Sequence, residues 1–402
     1  MRRMLSSFVL CASLIAAAAD TAEAVPRMAL TAGSPCSPCH VNQQGGGMRS
    51  MIGWSSMADV GMVNYEQMGV DWFSEMYSNE VVEGWASVGL DMRFQMARLG
   101  RPVGEFGEDG QINIIEPDRR IIPMQIQPHA LVDLTDYVRL HGSYAAGPNT
   151  FDGELCDTPF AGQSCYVAEA IFEPDAPWPA VRAGMFQPSM GIRHDDHTML
   201  IRQDASRPRR ALIPANYAEL GAEASYQPLY WLRMEAGAFR AANLAEAIGQ
   251  PEVVSTNDVA YLGRVSFLPR VEFGEDWDLS AMIGGSAYGA GDFHMQNLFA
   301  GIGMLDFASL IVEGAHFARG SAAEGINVAS ILSIEARKWL VVEGRLERGW
   351  ASNDDGDFTT DAAVVGVQFV PMPYVKLRPE YRYLTTDDYA MGQYTAQLHI
   401  FY

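Results

Sequence analysis

The sequence predicts an all-β protein: a transmembrane antiparallel β-barrel of about sixteen strands, preceded by a small segment of helical or irregular structure. Three observations predict it. From Trp85 onward the chain runs in stretches of about ten to fourteen residues, the length of a tilted strand crossing a bilayer, with apolar and polar side chains alternating. Short connections between these stretches take turns with longer ones, as periplasmic turns and extracellular loops do. The final stretch sets Leu398, Ile400 and Tyr402 on one face against Gln397, His399 and Phe401 on the other, and stops on an aromatic, as bacterial outer-membrane barrels typically do.

The chain opens with an export signal. Arg2 and Arg3 form a basic start, Leu5 to Ala18 an apolar core too short to span a bilayer, and Thr21-Ala22-Glu23-Ala24 a small-x-small cleavage site. Residues 1–24 therefore read as a signal peptide, with the mature chain starting at Val25. No later stretch offers the run of ~18 apolar residues that a membrane helix needs. An exported chain without one resides in the periplasm or, as a closed barrel, in the outer membrane. The formal net charge of −21 excludes nucleic acid as a partner, because phosphate binding requires a cationic face. It suits a surface that attracts metal cations.

Residues 25–84 are rich in Met, Gly, Ser and Pro and show no sustained alternation; residues 85–402 carry the barrel pattern. Val88, Leu90, Met92, Phe94 and Met96 oppose Asp91, Arg93 and Gln95. Leu340, Val342 and Leu346 oppose Glu343, Arg345 and Glu347, and Val375, Leu377, Tyr381 and Tyr383 oppose Lys376, Arg378, Glu380 and Arg382. Period-two alternation gives each strand two faces, and mixed charge at regular spacing on the polar one suits a wet lumen. The expected strands are 85–98, 120–132, 137–147, 164–172, 179–191, 216–226, 229–241 and 258–269, then 277–289, 294–304, 307–318, 326–337, 339–349, 359–370, 374–385 and 391–402. Short connections fall at Asp133–Asp136, Gln227–Pro228, Leu305–Asp306 and Pro371–Pro373. Longer ones fall at Leu99–Arg119, Pro148–Gln163, Ile192–Ala215, Ala242–Asn257 and Ala351–Phe358.

Of five cysteines, Cys11 leaves with the signal, and the other four form two local pairs. Cys156 and Cys165, in a polar stretch of an exported chain, are expected to form a loop disulfide. The other pair belongs to Cys36-Ser37-Pro38-Cys39-His40, the C-x-x-C-H attachment site of c-type haem: each thiol adds across a vinyl group and the histidine ligates the iron. A thioredoxin-like pair would need a βαβ setting, which is missing. Half of a zinc site would need further Cys or His nearby, and none occurs between Val41 and Pro128. One covalent haem c on Cys36, Cys39 and His40 is therefore expected. Its second iron ligand stays open among Met48, Met51, Met57 and Met62, with Met68 and Met76 further on, although core packing explains any single methionine as well. His129 and His141 fall on the polar parity of their strands and could reach a haem in the lumen, or simply hydrogen-bond there. A haem with no second protein ligand is the remaining option. A segment of about sixty residues is small for its own core, so it gains most by covering haem and docking in or under the barrel, with Gly45-Gly46-Gly47 as a turning link.

Three loop motifs remain. His194, Asp195, Asp196 and His197 offer two imidazoles and two carboxylates to a transition metal, or form an ordinary polar loop. Asn353-Asp354-Asp355-Gly356-Asp357 lacks a full calcium-loop pattern and reads as a solvated hairpin tip. Arg207-Pro208-Arg209-Arg210 suits either lipopolysaccharide phosphate or an inward constriction.

Leader, C-x-x-C-H near the mature N-terminus, then one barrel to the last residue: this order resembles the fused monohaem cytochrome c–porin family of the bacterial outer membrane. The resemblance covers the whole chain as architecture, with Cys36, Cys39 and His40 matching residue by residue. It implies an electron conduit between an extracellular donor such as ferrous iron and periplasmic cytochromes, set in outer-membrane lipid and lipopolysaccharide. Val181 to Gly191 also resembles a strand of phosphate-selective-type porins. The alternatives are a diffusion porin with a periplasmic haem-bearing segment, and a scaffold that docks other cytochromes.

Overall fold

Alternation becomes ladder. The computed structural model describes residues 30, 39–42, 44–57, 60–63, 69, 79–99, 103–106, 112–115, 119–146, 161–175, 177–194, 196, 198–205, 207–214, 216–272, 278–304, 307–321 and 323–402. The proposed signal peptide lies outside them. The barrel strands are β1 (Ala86–Leu99), β2 (Arg119–Thr135), β3 (Val138–Tyr144), β4 (Tyr166–Phe172), β5 (Ala180–Phe186), β6 (Glu219–Leu229) and β7 (Leu232–Arg240). They continue as β8 (Val259–Phe267, extended by Arg270–Glu272), β9 (Asp278–Ala290), β10 (Phe293–Met304), β11 (Ala308–Arg319) and β12 (Ala323–Arg337). The last are β13 (Leu340–Asn353), β14 (Gly356–Met372), β15 (Val375–Thr386) and β16 (Ala390–Phe401). Each pairs antiparallel with its sequence neighbours, and β1 pairs with β16, with Met92 opposite Ile400 and Arg93 opposite His399. Sixteen strands thus close on themselves and leave no open edge, as a sheet in lipid requires.

The pleat sorts the side chains as the alternation predicts. Asp91, Glu313, Arg345, Glu347 and Lys376 are buried toward the lumen, whereas Leu298, Ile283 and Leu346 stand exposed on the outside, Leu298 by 75%. An outward charge at mid-bilayer costs roughly 2–4 kcal/mol, so this sorting fixes register and face together. Trp85, Tyr137, Phe172, Trp178 and Tyr230 are exposed near one rim, and Tyr261, Trp350, Tyr383, Tyr389 and Tyr394 near the other. Two such aromatic girdles around an apolar band mark an outer-membrane barrel, and the bacterial outer membrane is its location.

The connections correct part of the expected alternation. At the rim of the short turns, connections such as Asp136–Tyr137, Tyr230–Trp231 and Pro373–Tyr374 are tight. At the opposite rim, the long connections all precede residue 259: 100–118, 145–165, 187–218 and 241–258. The expected loop at Ala351–Phe358 is instead a two-residue turn at Asp354–Asp355, because β13 and β14 run on as a polar hairpin above the membrane. Outside lipid the ladder satisfies its own hydrogen bonds and needs no apolar face, so composition alone misplaces the strand ends.

Two of these loops turn toward the core. Besides α1 (Met51–Ser55) of the N-terminal segment, a second helix, α2 (Ala242–Ile248), buries Leu244 and Ile248 with Phe239, Val254 and Tyr288. The 187–218 loop crosses the lumen, burying Met199, Leu200, Ile201, Leu212 and Ile213. Its hairpin, Gln203–Asp204 with Arg207–Ala211, places the basic run on the returning arm, so that run belongs to an inward-folded loop.

Candidate functional site

The described part of the N-terminal segment, residues 39–42 and 44–57, packs against the inside of the barrel wall. His40 and Arg49 face each other across a narrow antiparallel pair, closed by Ser50 N–H to Cys39 O and Val41 N–H to Met48 O, both 3.1 Å. Asn42 starts the turn between them, its Oδ1 accepting from Gln44 N–H at 3.1 Å. Helix α1 (Met51–Ser55) follows, capped by Ser50 Oγ, which accepts from Gly53 N–H at 3.2 Å. Gly53 is required here: a Cβ would come 1.9 Å from the Cys39 carbonyl oxygen, so only glycine lets α1 lie against the Cys39–His40 strand.

Packing explains why this segment stays in the lumen. Val41 and Met48 bury against Leu131 of β2 and Ile171 of β4. Trp54, Met57 and Val60 bury against Val370, Tyr374 and Phe401, at the rim of short turns. Tyr374 stacks on Trp54 at 5.2 Å and donates its hydroxyl to Trp54 O at 3.0 Å. Met62 and Val63 N–H groups bond Val370 O and Pro371 O at 2.9 and 3.0 Å, tying this stretch to the end of β14. Arg49 lies 4.7 Å over the Phe401 ring, and Asn79 Nδ2 donates to Arg49 O at 3.1 Å.

The predicted haem residues sort as follows. Cys39 is a free, half-buried thiol, and His40 is buried beside it. Burial pushes the Cys39 thiol up from its ordinary value, with Arg49 pulling the other way. Cys36 lies outside the described residues. Met48 and Met57 are buried in the two apolar clusters, whereas Met51 and Met62 are 51% and 52% exposed; Met68 and Met76 lie outside the described residues. Cys165 is disulfide-bonded, and Cys156 lies outside the described residues.

Of the 194–197 motif, the two described residues, His194 and Asp196, bond different partners on the wall. His194 Nε2 bonds Glu313 at 2.8 Å, and Asp196 pairs with Arg345 at 2.7 Å and accepts from Thr198 N–H at 2.8 Å. Burial opposes ionisation of Asp196, yet Arg345, Arg382 and Arg378 hold its carboxyl well below the usual range. Both residues therefore pin the loop to the wall. Asp195 and His197 lie outside the described residues, and among the described residues no group of three or more His, Cys, Asp or Glu is placed to hold a metal ion. The acidic hairpin tip at Asn353–Asp357 is a turn in which Asp355 N–H bonds Asn353 Oδ1 at 2.8 Å.

The lumen holds a cluster that no motif announced. His129 Nδ1 lies 3.4 Å from His141 Nε2, and His141 Nδ1 lies 2.9 Å from Glu169 Oε1; the two rings stack at 5.6 Å. All three residues are buried, and His129 Nε2 has no hydrogen-bond partner among the described residues. A buried polar atom left in this state costs about 1–3 kcal/mol, which a ligand or water relieves. It faces a small cavity lined also by Gly46, Gly47, Gln127, Ser143 and Arg193. Nearby, Asp91 pairs with Arg93 at 2.9 Å and with His399 at 3.1 Å. Glu169 and Glu223 share Arg182, at 3.8 and 2.8 Å. The parity of β2 and β3 marked the histidines as lumenal; Glu169 carried a weaker signal, as the polar member of Val167, Glu169 and Ile171. Only register joins them, with His129 and Leu131 of β2 opposite Ser143 and His141 of β3, and His141 opposite Glu169 of β4.

No family model matches the sequence, and no curated protein matches it. Solved structures do. The chain is similar to OprB of Pseudomonas putida in its high-pH structure, with 13% identity over 83% of this chain and 97% of that one, at a TM-score of 0.53. OmpT of Vibrio cholerae, expressed in the outer membrane, matches at 10% identity over 80% of this chain and 99% of its own, TM-score 0.48. An anion-selective porin from Comamonas acidovorans matches at 9% identity over 79% and 99%, TM-score 0.48. At such identity the likeness to OprB establishes the fold, and function rests on the site. The chain is a porin-like outer-membrane barrel, with the described residues 39–42 and 44–57 packed against the inside of its wall.

Proposed function

We propose that this barrel is an outer-membrane electron conduit, passing single electrons between an extracellular donor such as ferrous iron and periplasmic carriers through a haem c on Cys36, Cys39 and His40. The observation that carries the reading is the place of Cys39 and His40: within the barrel wall, anchored by Trp54 and Tyr374, rather than in a domain beyond the membrane. A lone redox centre serves both sides of a membrane only if it sits where both can approach. The donor chemistry at the site fits the group. Cys39 is an unoxidised thiol, and the imidazole directly after it is shielded from bulk water.

When bound, a c-type haem supplies reversible one-electron exchange at iron. The protein's residues do the rest. The strand wall keeps lipid away, and Trp54, Met57 and Val60 fix the segment against β14 to β16. Arg49, cross-strand from His40 and over the Phe401 ring, sets a fixed positive charge that acts on Cys39. The 187–218 loop, tied down by Glu313, Arg319 and Arg345, narrows the way in from the far rim, so small ions approach more readily than proteins.

A second reading, a diffusion porin with a haem-bearing segment, is favoured by the porin-like barrel and by the charged residues along its lumen. Two measurements on the purified, matured chain separate them: covalent haem content by alkaline pyridine spectrum, and conductance in planar bilayers. The conduit predicts one haem per chain and little steady conductance. A chain without covalent haem, or one with large ohmic conductance and a haem unresponsive to outside reductant, overturns the conduit.

A further inference from the structure

We infer that the outer face of β8 to β12 holds one molecule of lipopolysaccharide, its acylated amino sugar lying in a notch floored by Gln296 and His316. The inference is independent of the haem reading. Register sets the outward residues of these strands in rows. One row, Gly263, Ala287, Gln296, His316 and Ile326, runs from β8 to β12 and meets Trp350 on β13. The next row toward the long-loop rim is Tyr261, Gly289, His294, Ala318 and Glu324. Tyr261 and Trp350 belong to the aromatic girdle of that rim, 65% and 42% exposed. Between them the girdle is interrupted. At its depth β9 to β11 carry glycine, alanine, one amide and two imidazoles, with His294 and Gln296 exposed and His316 half-buried.

The interruption is also concave. Gly263, Gly285, Ala287 and Gly314 leave a furrow of about 680 Å³, bordered by Met234, Val265, Leu298 and Ile326. The row beneath the notch is Val265, Gly285, Leu298, Gly314 and Val328, with no polar side chain. The furrow is therefore apolar toward mid-bilayer and hydrogen-bonding toward the rim, the order of groups in a lipid standing head outward. An amide and two imidazoles supply donors and acceptors, which match the amide, ester and hydroxyl groups that join acyl chains to a sugar. Charge fits the head. Arg240 ends β7 exposed at this rim, its Nε donating to Thr256 O at 3.2 Å, whereas Glu324 stands on the β12 side, so a lipid phosphate is directed toward β7. The outer leaflet of a bacterial outer membrane supplies this chemistry as a phosphorylated, multiply acylated amino sugar. A second barrel fits the notch less well. Three rows across five strands cover roughly 19 Å by 14 Å, about 270 Å², against the ~800 Å² that each partner of a stable complex contributes. A contact between barrels also gives no reason for a polar-to-apolar order along the membrane normal.

The test takes the full-length barrel from outer membranes into mild detergent, removes bound lipid, and titrates it with lipid A or with phosphatidylglycerol. Native mass spectrometry counts the bound lipid. Wild type is expected to bind one lipid A per chain about 10-fold or more tighter than phosphatidylglycerol, the difference made by about two hydrogen bonds. Gln296→Leu combined with His316→Leu is expected to remove that preference and leave phosphatidylglycerol binding unchanged. Ala287→Trp completes the girdle and fills the notch, at a depth where an aromatic is favoured, and is expected to have the same effect. Ala363→Trp, on the outer face of β14, is expected to bind lipid A as wild type does. Resistance to unfolding in SDS at room temperature confirms that each variant has formed its barrel. Equal affinity of wild type for the two lipids overturns the inference, as does lipid A binding that survives both notch variants. A wild-type dimer or trimer that Ala287→Trp separates into single chains also overturns it, because the face is then a contact between copies.

Discussion

Trp54 is the anchor whose loss should undock the N-terminal segment from the barrel without unfolding the barrel. Its side chain is 1% exposed, stacked on Tyr374 at 5.2 Å and met edge-on by Tyr402 at 5.8 Å. Truncating a buried Trp to Ala typically costs about 3–5 kcal/mol, from lost burial and the cavity left behind. The lower end is the better expectation. The Tyr374 bond goes to a backbone carbonyl, and the Met62 and Val63 backbone bonds do not depend on the indole. About 3 kcal/mol lowers the docked-to-undocked ratio roughly 150-fold. Hydrogen exchange read by mass spectrometry in detergent micelles should then show the 44–57 peptides exchanging faster by about two orders of magnitude. Strands β9 to β13 should exchange as in wild type. Unchanged rates over 44–57 would refute the packing argument. Equal acceleration through the barrel would show that the segment and wall form one cooperative unit.

Two further outcomes follow from the same contacts. Glu313 accepts from Ile192 N–H, Asn297 Nδ2 and His194 Nε2 at 3.0, 2.9 and 2.8 Å, so Glu313→Ala leaves three buried donors unmet, at about 1–3 kcal/mol each. Exchange should quicken over 190–194 but not over 198–205, which Glu347, Asn327 and Thr360 hold separately; loosening of both together would contradict this division. In the haem-free Cys36→Ser chain, burial raises the Cys39 thiol and Arg49 lowers it, so the neutral thiol persists to higher pH than in a free cysteine. Alkylation by iodoacetamide, which needs the thiolate, should show a midpoint above that of free cysteine, and Arg49→Gln should move it higher still; a midpoint at or below the free value would remove the burial argument.

The barrel was legible because lipid and lumen impose opposite chemistries on alternate residues. Arg345 and Glu347 had to face inward and Leu346 outward, and all three do. The ends of strands were less legible, as at Asn353-Asp354-Asp355-Gly356, where a hairpin standing in water keeps its ladder without a hydrophobic signal. The C-x-x-C-H spacing could be read directly, but the seat of the stretch that follows it, with Trp54 against Tyr374 and Phe401, could not, since those contacts join residues at least 320 positions apart. The inward course of the 187–218 loop was likewise undecided by its arginines. Partners far along the chain decide it: Glu313 for His194, Arg345 for Asp196, and Arg319 for Asp204. The His129–His141–Glu169 chain was half visible, since parity assigns a face whereas only register assigns a neighbour.

The most direct measurement of the central claim is electron passage across a sealed membrane. The matured protein is placed in liposomes that enclose a membrane-impermeant oxidised acceptor, and ferrous iron is added outside only. The account predicts that the enclosed acceptor is reduced by wild type and not by a chain carrying Cys36→Ala and Cys39→Ala. An acceptor that stays oxidised with wild type, or is reduced equally by the cysteine-free barrel, would contradict it.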